Sequence, residues 1–164
     1  MTQLVSTREE IREIEHLLYQ EADFLDHADL DGWIDLYTQD ASYWMPVTPD
    51  QPDPLNHISL FYDDRTIMEI RRRNFVHPRA PSKDLPVRCS HIIANLQLGG
   101  EIDDESIVVN SNFHCVVYHN EKQTLYAGTY RHELVRIDGQ LKIQHKRVDI
   151  INSDATLGAM LIYL

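Results

Sequence analysis

The chain has 164 residues, of which 43% are apolar and 25% charged, and its formal net charge is −11. This length predicts one globular domain over residues 1–164 with a sizeable core, and the acidic balance argues against nucleic acid or an anionic membrane as partner. Two cysteines make no disulfide framework, and no apolar run approaches the roughly 20 residues that span a bilayer. The default expectation is a reduced, cytoplasmic protein.

The N-terminal third predicts two helices followed by a strand. Ser6 and Glu9 form a capping-box pattern, and apolar residues then recur at helical spacing up to about His27. A short second helix is expected over residues 30–37. An aromatic-rich, extended segment over residues 41–45 ends at Pro46 and is predicted to be the first strand, at an edge of the sheet.

Prolines mark two loops, at residues 46–54 and 78–86, that cannot be central strand or mid-helix. The first loop is stiff enough to lie across a neighbouring subunit, and the alternative is an ordinary surface loop. Between the two loops, residues 63–74 predict a third helix that starts at an aspartate and ends in three arginines. The arginines are interpreted as a solvated helix end, where cations suit the helix dipole, or else as a docking patch.

The C-terminal half predicts four strands with period-two alternation, at about residues 87–98, 106–119, 124–137 and 140–151. Asp138-Gly139 is a strong signal for a two-residue hairpin turn. Helices followed by antiparallel strands indicate an α+β fold.

A two-residue turn at Asp138-Gly139 also predicts the register of the last hairpin, with His132 facing His145 and Tyr130 facing Arg147. In this register one face is apolar near the turn and polar further along. It is expected to be the inner face, with a polar cluster formed by Tyr130, His132, His145, Arg147 and Asp149. Lys146 falls on the opposite face.

The outer face of the predicted sheet is rich in Asn, His and Arg. Such residues suit a subunit interface better than bare solvent, where Lys and Glu usually dominate, although a merely wet sheet is the alternative. The candidate interface residues are Arg88, His91, Asn95, Asn112, His114 and Arg131.

Two cysteine–histidine pairs raise the possibility of a metal centre. Cys89 and His91 form a C-x-H pattern, but Cys115 and His119 form C-x3-H where a Rieske cluster needs C-x-x-H. The predicted register also puts the two pairs on opposite faces of the sheet. The expectation is therefore that the chain holds no metal.

These patterns are compatible with one class of enzyme and disfavour another. Helices closing the mouth of a sheet can form a pocket in which Asp26, Tyr130, His132, His145 and Asp149 do acid–base work, as in a dehydratase, isomerase or cyclase. The alternatives are a buried, satisfied polar network or a subunit contact that is insensitive to pH. The sequence contains no G-x-S-x-G, no P-loop and no G-x-G-x-x-G, which disfavours a nucleotide-dependent enzyme.

Several blocks along nearly the whole chain resemble the small, or beta, subunit of bacterial aromatic-ring-hydroxylating dioxygenases. Their order and spacing carry the resemblance more than any one block does. The blocks are EADFLD at 21–26, WIDLYTQD at 33–40, YWMP at 43–46, MEIRRR at 68–73, RCSHIIAN at 88–95 and SNF at 111–113.

The resemblance implies a cone-shaped α+β fold with N-terminal helices on a curved, mainly antiparallel sheet, similar to scytalone dehydratase and ketosteroid isomerase. It implies a mainly structural subunit that forms a trimer beneath three catalytic alpha subunits. The alpha subunits would carry the Rieske 2Fe-2S cluster and a mononuclear iron, so that no catalytic residue, metal or cofactor is expected in this chain. The complex would hydroxylate an aromatic ring with O₂ and electrons from NADH, and the benzoate, toluate, anthranilate, cumate and salicylate branch is favoured over polycyclic hydrocarbons.

Overall fold

The computed structural model describes residues 8–76, 87–99, 105–158, 160 and 162–164. In this part of the chain two helices precede the first strand, and a third helix follows the second strand. Helix α1 spans Arg8–Asp26, α2 spans Leu30–Asp35 and α3 spans Arg65–Val76. The side chain of Asp29 caps α2 by accepting from the Gly32 N–H, and Asp64 accepts from the Ile67 N–H at the start of α3. The predicted aspartate cap of the third helix is confirmed, whereas Ser6 lies outside the described residues.

Six strands form one mixed sheet in the order β2-β1-β6-β5-β4-β3. The first two strands are β1, Tyr37–Pro46, and β2, Ser59–Asp64, and the other four are β3, Arg88–Leu98, β4, Ser106–His119, β5, Lys122–Ile137, and β6, Gln140–Ile150. Strand β1 is antiparallel to β2 but parallel to β6, and the remaining pairs are antiparallel. The α+β prediction is confirmed.

The first strand differs from its prediction in two ways. It begins at Tyr37, which was expected to be helical, and it lies between β2 and β6 rather than at an edge. The edge position belongs to β2, which sequence analysis missed because its six residues follow the proline-rich loop and precede α3 directly. Tyr43 and Met45 of β1 point into the core and are fully buried, whereas Trp44 between them is only half-buried.

Two of the three arginines at the end of α3 are paired with carboxylates. Arg71 forms an ion pair with the buried carboxylate of Asp63, and Arg72 pairs with Asp31 and Glu69. These pairs tie α3 to β2 and to the α2 helix.

Both β4–β5 and β5–β6 are joined by two-residue turns in which the backbone is left-handed. The turn residues are Asn120 and Glu121, with φ of 51° and 59°, and Asp138 and Gly139, with φ of 50° and 79°. Positive φ at both positions matches the twist of the flanking strands. The predicted Asp138-Gly139 hairpin is confirmed, with Ile137 paired to Gln140.

A bulge in β6 overturns the predicted face of the strand's second half. Leu134 pairs with Ile143 as predicted, but the next residue, Glu133, pairs with His145, so Gln144 is the extra residue. Every later side chain of β6 is therefore shifted to the other face. His132 pairs with Lys146, not with His145.

The helices pack on the inner face of the sheet and the space between them is filled by apolar side chains. Aromatic rings dominate this core: Trp33 stacks on Tyr163 with centroids 4.4 Å apart, and Phe113 stacks on Tyr130 at 4.1 Å. Such contacts add stabilisation beyond burial. Among the described residues, no helix is both long and apolar enough to cross a bilayer.

Candidate functional site

A buried carboxylate, Glu21 of α1, is the centre of a polar network inside the core. Glu21 Oε1 accepts hydrogen bonds from Tyr37 Oη at 2.6 Å and from Trp33 Nε1 at 3.3 Å. The same oxygen forms an ion pair with Lys146 Nζ at 2.9 Å. Its other oxygen, Oε2, lies 2.8 Å from His132 Nε2. Glu21, His132 and Lys146 are each no more than 1% exposed.

The electrostatics of this network keep Glu21 ionised. Burial alone would raise the pKa of Glu21, but the Lys146 ammonium and the hydrogen bonds that it receives lower that pKa far below its ordinary range. Burial lowers the pKa of His132 in spite of the neighbouring carboxylate. His132 is therefore neutral and donates its Nε2–H to Glu21, while its Nδ1 has no hydrogen-bond partner among the described residues.

These contacts describe a saturated ion pair rather than a poised general base. Four donors converge on Glu21, and Lys146 additionally donates to the carbonyl oxygen of Leu164 and lies 4.1 Å from the Tyr130 ring centroid. A general base needs a lone pair that can reach substrate and a pKa near the working pH. Glu21 has neither, so its carboxylate is buried and satisfied, whereas His132 Nδ1 and Tyr130 Oη beside it have no hydrogen-bond partner among the described residues.

A second polar cluster lies where the end of α1 meets β3 and β4. Asp26 Oδ1 lies 2.6 Å from His91 Nδ1 and 3.5 Å from Cys89 Sγ, and both Asp26 oxygens accept from the His91 backbone N–H at 3.1 Å. Cys115 Sγ lies 3.8 Å from His91 Nδ1. One ligand atom from each of Cys89, His91 and Cys115 falls within 4.8 Å of the others.

This second cluster corrects the face assigned to Cys89 and His91. They share the inner face with Cys115, because His91 pairs directly with Cys115 across β3 and β4. The prediction that the Cys89–His91 pair and the Cys115–His119 pair lie on opposite faces of the sheet is therefore wrong. His119 is not part of the group, since four strand positions separate it from Cys115.

The thiols and the imidazole of this cluster perturb one another. A hydrogen bond with Cys115 lowers the pKa of Cys89 to about 6, with His91 adding to the effect. Burial alone would lower the pKa of His91, but its hydrogen bonds with Cys89 and Asp26 raise it. The same Cys89 contact, together with burial, raises the pKa of Cys115 well above its ordinary value.

The predicted inner-face polar cluster is split by the β6 bulge. Tyr130 and His132 are on the inner face as predicted, but His145, Arg147 and Asp149 are on the outer face. His145 Nδ1 lies 2.7 Å from Ser42 Oγ, and Arg147 forms an ion pair with Asp149. The inner positions are taken by Lys146, Val148 and Ile150, which are buried.

Arg147 fastens the first proline-rich loop to the sheet. Its guanidinium donates to the carbonyl oxygens of Pro49 and Gln51, both at 2.8 Å, and stacks over Trp44 at 4.5 Å. The loop's other end stays open, with Leu55 81% exposed and Ile58 85% exposed. The loop is thus anchored on its own sheet while presenting apolar side chains to the surroundings.

The predicted interface residues are on the outer face with one exception. His91 is wrong, because its side chain is only 1% exposed and contacts Asp26. Asn95 and Asn112 are hydrogen-bonded to each other at 2.9 Å on the exposed face. Arg88, His114 and Arg131 are exposed there as well.

The outer face also presents large apolar side chains that the sequence argument did not single out. Ile92 of β3 is 66% exposed, Leu125 of β5 is 59% exposed, and Ile151, directly after β6, is 80% exposed. Ile92 pairs with His114, which pairs with Ala127, and Ile151 bonds to the Ala127 carbonyl. The apolar and the polar residues therefore form one surface.

Comparison with known proteins decides the family of this fold. The family model for the ring hydroxylating beta subunit matches residues 20–156. The small oxygenase component of the p-cumate 2,3-dioxygenase system of Pseudomonas putida is 34% identical over 139 residues, which cover 82% of this chain and 76% of that protein. The chain belongs to the ring hydroxylating beta subunit family.

Solved structures show the same architecture for this beta subunit. The crystal structure of the benzoate 1,2-dioxygenase beta subunit from Burkholderia mallei ATCC 23344 superposes with a TM-score of 0.73 at 29% identity, covering 93% of this chain and 94% of that one. A protein from Novosphingobium aromaticivorans, named as a candidate scytalone dehydratase, gives a TM-score of 0.67 at 17% identity, covering 92% and 91%. This second likeness confirms the predicted cone fold and concerns the fold alone.

Family membership confirms the resemblance that the sequence blocks carried. The beta subunit is a component of an aromatic-ring-hydroxylating oxygenase, and it belongs to an enzyme as part of a complex. The alternative of a stand-alone dehydratase, isomerase or cyclase is not supported.

Sequence analysis missed the two charged residues at the centre of the core, Glu21 and Lys146. Glu21 had a visible signal, because it occupies the same helical stripe as Ile14, Leu18 and Leu25, where an apolar residue is expected. Lys146 had none, because its inward orientation depends on the bulge at Gln144.

Proposed function

We propose that this chain is the mainly structural small subunit of a terminal oxygenase, and that it supports a larger, catalytic subunit that hydroxylates an aromatic ring. The family match over residues 20–156 is the observation that carries the proposal. The oxygenase uses O₂ and electrons that originate from NADH.

The packing of the core supports a structural role. The largest fully buried side chains, among them Trp33, Tyr43, Phe113 and Tyr130, fill the space between helices and sheet. Within the described residues, four hydrogen-bond donors already satisfy the Glu21 carboxylate. A subunit with a filled core of this kind can support a partner subunit, and the hydroxylation of the ring takes place in that partner.

The partner is proposed to hold both iron centres, a Rieske 2Fe-2S cluster and a mononuclear iron. A Rieske cluster takes two Cys and two His ligands. Within the described chain, the converging group has two cysteines but one histidine, His91. The set therefore does not fit a Rieske cluster.

The substrate is proposed to be a monocyclic aromatic carboxylate. Relatives of this chain are named for p-cumate 2,3-dioxygenase and benzoate 1,2-dioxygenase, and both names denote a single ring that bears a carboxylate. The pocket that selects the ring is expected in the large subunit.

The outer face of the sheet is proposed as the surface on which the small subunits associate, as a trimer within a cytoplasmic hexamer of three large and three small subunits. Ile92, Leu125 and Ile151 are more than half exposed on that face, and large aliphatic residues so exposed together mark interaction surfaces. Arg88, Asn95, Asn112, His114 and Arg131 provide polar contacts around them.

The proposal is tested by comparing the chain alone, the large subunit encoded with it alone, and the two co-expressed. Each sample receives the cognate reductase, NADH, O₂ and benzoate, and products are identified by mass spectrometry. We expect hydroxylated product from the co-expressed pair and none from this chain alone.

Two results would contradict the proposal. One is turnover of a hydroxy-ketone or polyketide-like substrate by the isolated chain at an enzymatic rate. The other is a large subunit that is equally soluble and equally active in the absence of this chain.

A further inference from the structure

The cluster formed by Asp26, Cys89, His91 and Cys115 lies on the inner face of the sheet, opposite the outer face proposed for self-association. Four metal-ligating side chains lie there on three elements. Cys89, His91 and Cys115 each place a ligand atom within 4.8 Å of the others, and Asp26, the last residue of α1, contacts His91 and Cys89. Two thiols, an imidazole and a carboxylate are an unusual set for the inner face of a sheet, where apolar residues are the rule. We refer to these four residues as the thiol–imidazole cluster.

Two distances in this cluster match those between the ligand atoms of a tetrahedral ion site. Zinc binds sulfur at about 2.3 Å and nitrogen at about 2.0–2.1 Å, so ligand atoms in a tetrahedron stand roughly 3.3–3.8 Å apart. Cys115 Sγ is 3.8 Å from His91 Nδ1, and Cys89 Sγ is 3.5 Å from Asp26 Oδ1. The separation of Asp26 Oδ1 from His91 Nδ1, 2.6 Å, is that of a hydrogen bond whose proton an ion would replace.

We propose that the thiol–imidazole cluster binds one divalent ion of the zinc class, with Cys89 Sγ, His91 Nδ1, Cys115 Sγ and an Asp26 carboxylate oxygen as the four ligands. In the ion-bound form both sulfurs are thiolates and the imidazole is neutral, with its proton on Nε2. The protons that Cys89, His91 and Cys115 hold beyond this in the ion-free chain are released to solvent. No electron transfer is involved.

The hydrogen bonds of Asp26 hold its carboxylate at the site. Both carboxylate oxygens accept from the His91 backbone N–H, so the carboxylate stays beside the imidazole whether or not an ion is present. The Asp26 side chain is 23% exposed, whereas that of His91 is 1% exposed, which gives an ion a way in past Asp26. Bound there, the ion would cross-link the end of α1 to β3 and β4.

A disulfide between Cys89 and Cys115 fits the strands less well. Cys115 is directly opposite His91, and Cys89 is directly opposite Val117, so the two cysteines are diagonal neighbours. Diagonal positions of an antiparallel pair are about 7–8 Å apart, whereas disulfides usually join Cα atoms about 4.4–6.8 Å apart. The disulfide also leaves the convergence of His91 and Asp26 on the thiols unexplained.

The test uses the full chain, reduced, stripped with a chelator and then dialysed against Zn²⁺ or Co²⁺. We expect one ion per chain by elemental analysis, release of protons when the ion binds, and a thiolate-to-metal charge-transfer band in the Co²⁺ form. Zinc should also raise the thermal unfolding midpoint. Cys89→Ala and Cys115→Ala should each remove the part of the Co²⁺ charge-transfer band that comes from the missing thiolate, and zinc should no longer raise the unfolding midpoint of either variant. Asp26→Asn should weaken zinc binding at least tenfold.

His119→Ala is the matched control, because His119 completes the C-x3-H pattern with Cys115 but lies outside the cluster. It should bind zinc like the unsubstituted chain. The proposal is overturned if the unsubstituted chain retains no ion, if His119→Ala loses the ion as fully as Cys89→Ala does, or if air oxidation yields a Cys89–Cys115 disulfide and the reduced chain ignores zinc. The stoichiometry of the unsubstituted chain decides the matter even if a cysteine variant does not fold.

Discussion

At the scale of single residues, the pair formed by Glu21 and Lys146 is the least expected feature of the chain. A buried ion pair is weak evidence of stability in itself, because desolvation offsets much of the attraction between the charges. Removing one partner is different, since it leaves the other charge buried and uncompensated. The arrangement therefore predicts strong energetic coupling between the two side chains.

Lys146→Met should lower the free energy of unfolding by about 3–5 kcal/mol, because Glu21 would lose its counter-charge in the core. The double variant Glu21→Gln with Lys146→Met should lose much less than the sum of the two single variants. Urea unfolding of all four proteins measures this coupling. Additive losses would show that the two side chains do not act as a pair.

The network also predicts acid lability. The pKa of His132 is lowered in the folded chain, so below its ordinary value of about 6.5 the unfolded state takes up a proton that the folded state does not. Its contribution to stability is complete above that pH and declines as the pH falls towards the folded-state pKa. The lowered pKa of Glu21 adds a further loss below about pH 4.5, where only the unfolded carboxyl is protonated.

His132→Gln tests the first part of this pH dependence, because the Gln amide can still donate to Glu21 but does not titrate. Between about pH 7.5 and pH 5.5 the unsubstituted chain should lose up to about 1.4 kcal/mol in total more than the variant does. Urea midpoints at the two pH values provide the comparison. Equal losses in both proteins would mean that His132 titrates normally.

At the scale of elements, one extra residue decides which side chains reach the core. Up to Leu134 and Ile143 the hairpin follows the register set by Asp138-Gly139, which local turn chemistry predicts. Beyond it, the bulge at Gln144 turns Lys146 inward and Arg147 outward, and no local pattern announces that change. Strand β2 was missed for a similar reason, because its pairing with β1 is long-range.

Gly128 of β5 allows β5 and β6 to approach closely. A Cβ atom at Gly128 would lie 1.9 Å from the carbonyl oxygen of Asp149, which is backbone and cannot rotate away. Gly128→Ala should therefore lower the free energy of unfolding by about 2–3 kcal/mol.

Gly158→Ala is the matched control for that substitution, since a Cβ there would meet no heavy atom of the described residues within 4 Å. It should change stability by no more than about 0.5 kcal/mol. Thermal melts of the two alanine variants make the comparison. A Gly128→Ala chain as stable as Gly158→Ala would show that the strands can separate without penalty.

At the scale of the whole molecule, the outer face of the sheet is the surface to perturb. Arg131→Glu would place an acidic side chain beside Glu133, with which Arg131 now forms an ion pair. It should raise the dissociation constant of the self-associated form at least tenfold, as measured by analytical ultracentrifugation. Arg12→Glu makes the same charge change on the exposed side of α1 and should leave self-association unchanged.

If both of these variants self-associate like the unsubstituted chain, the outer face is not the contact between copies. Circular dichroism should show the same fold in both, because Arg131 and Arg12 are exposed.

The family and fold were accessible from the sequence, whereas much of the candidate site was not. Block order identified the family, and sequence patterns located the three helices and the four C-terminal strands to within a few residues. The predicted faces of the side chains after Gln144 and around His91 were wrong. They depend on a bulge and on the pairing of β3 with β4 rather than on alternation alone. Asp26 was singled out as a pocket acid, but its partners Cys89 and Cys115 could be found only in three dimensions.

The central claim is that this chain exists to hold a catalytic large subunit in a defined assembly. Native mass spectrometry of the chain co-expressed with the large oxygenase subunit encoded beside it tests that claim most directly. The account predicts one complex with three copies of each subunit and iron only in the large one, apart from any zinc at the thiol–imidazole cluster. A large subunit that assembles fully without this chain, while this chain remains by itself, would contradict it.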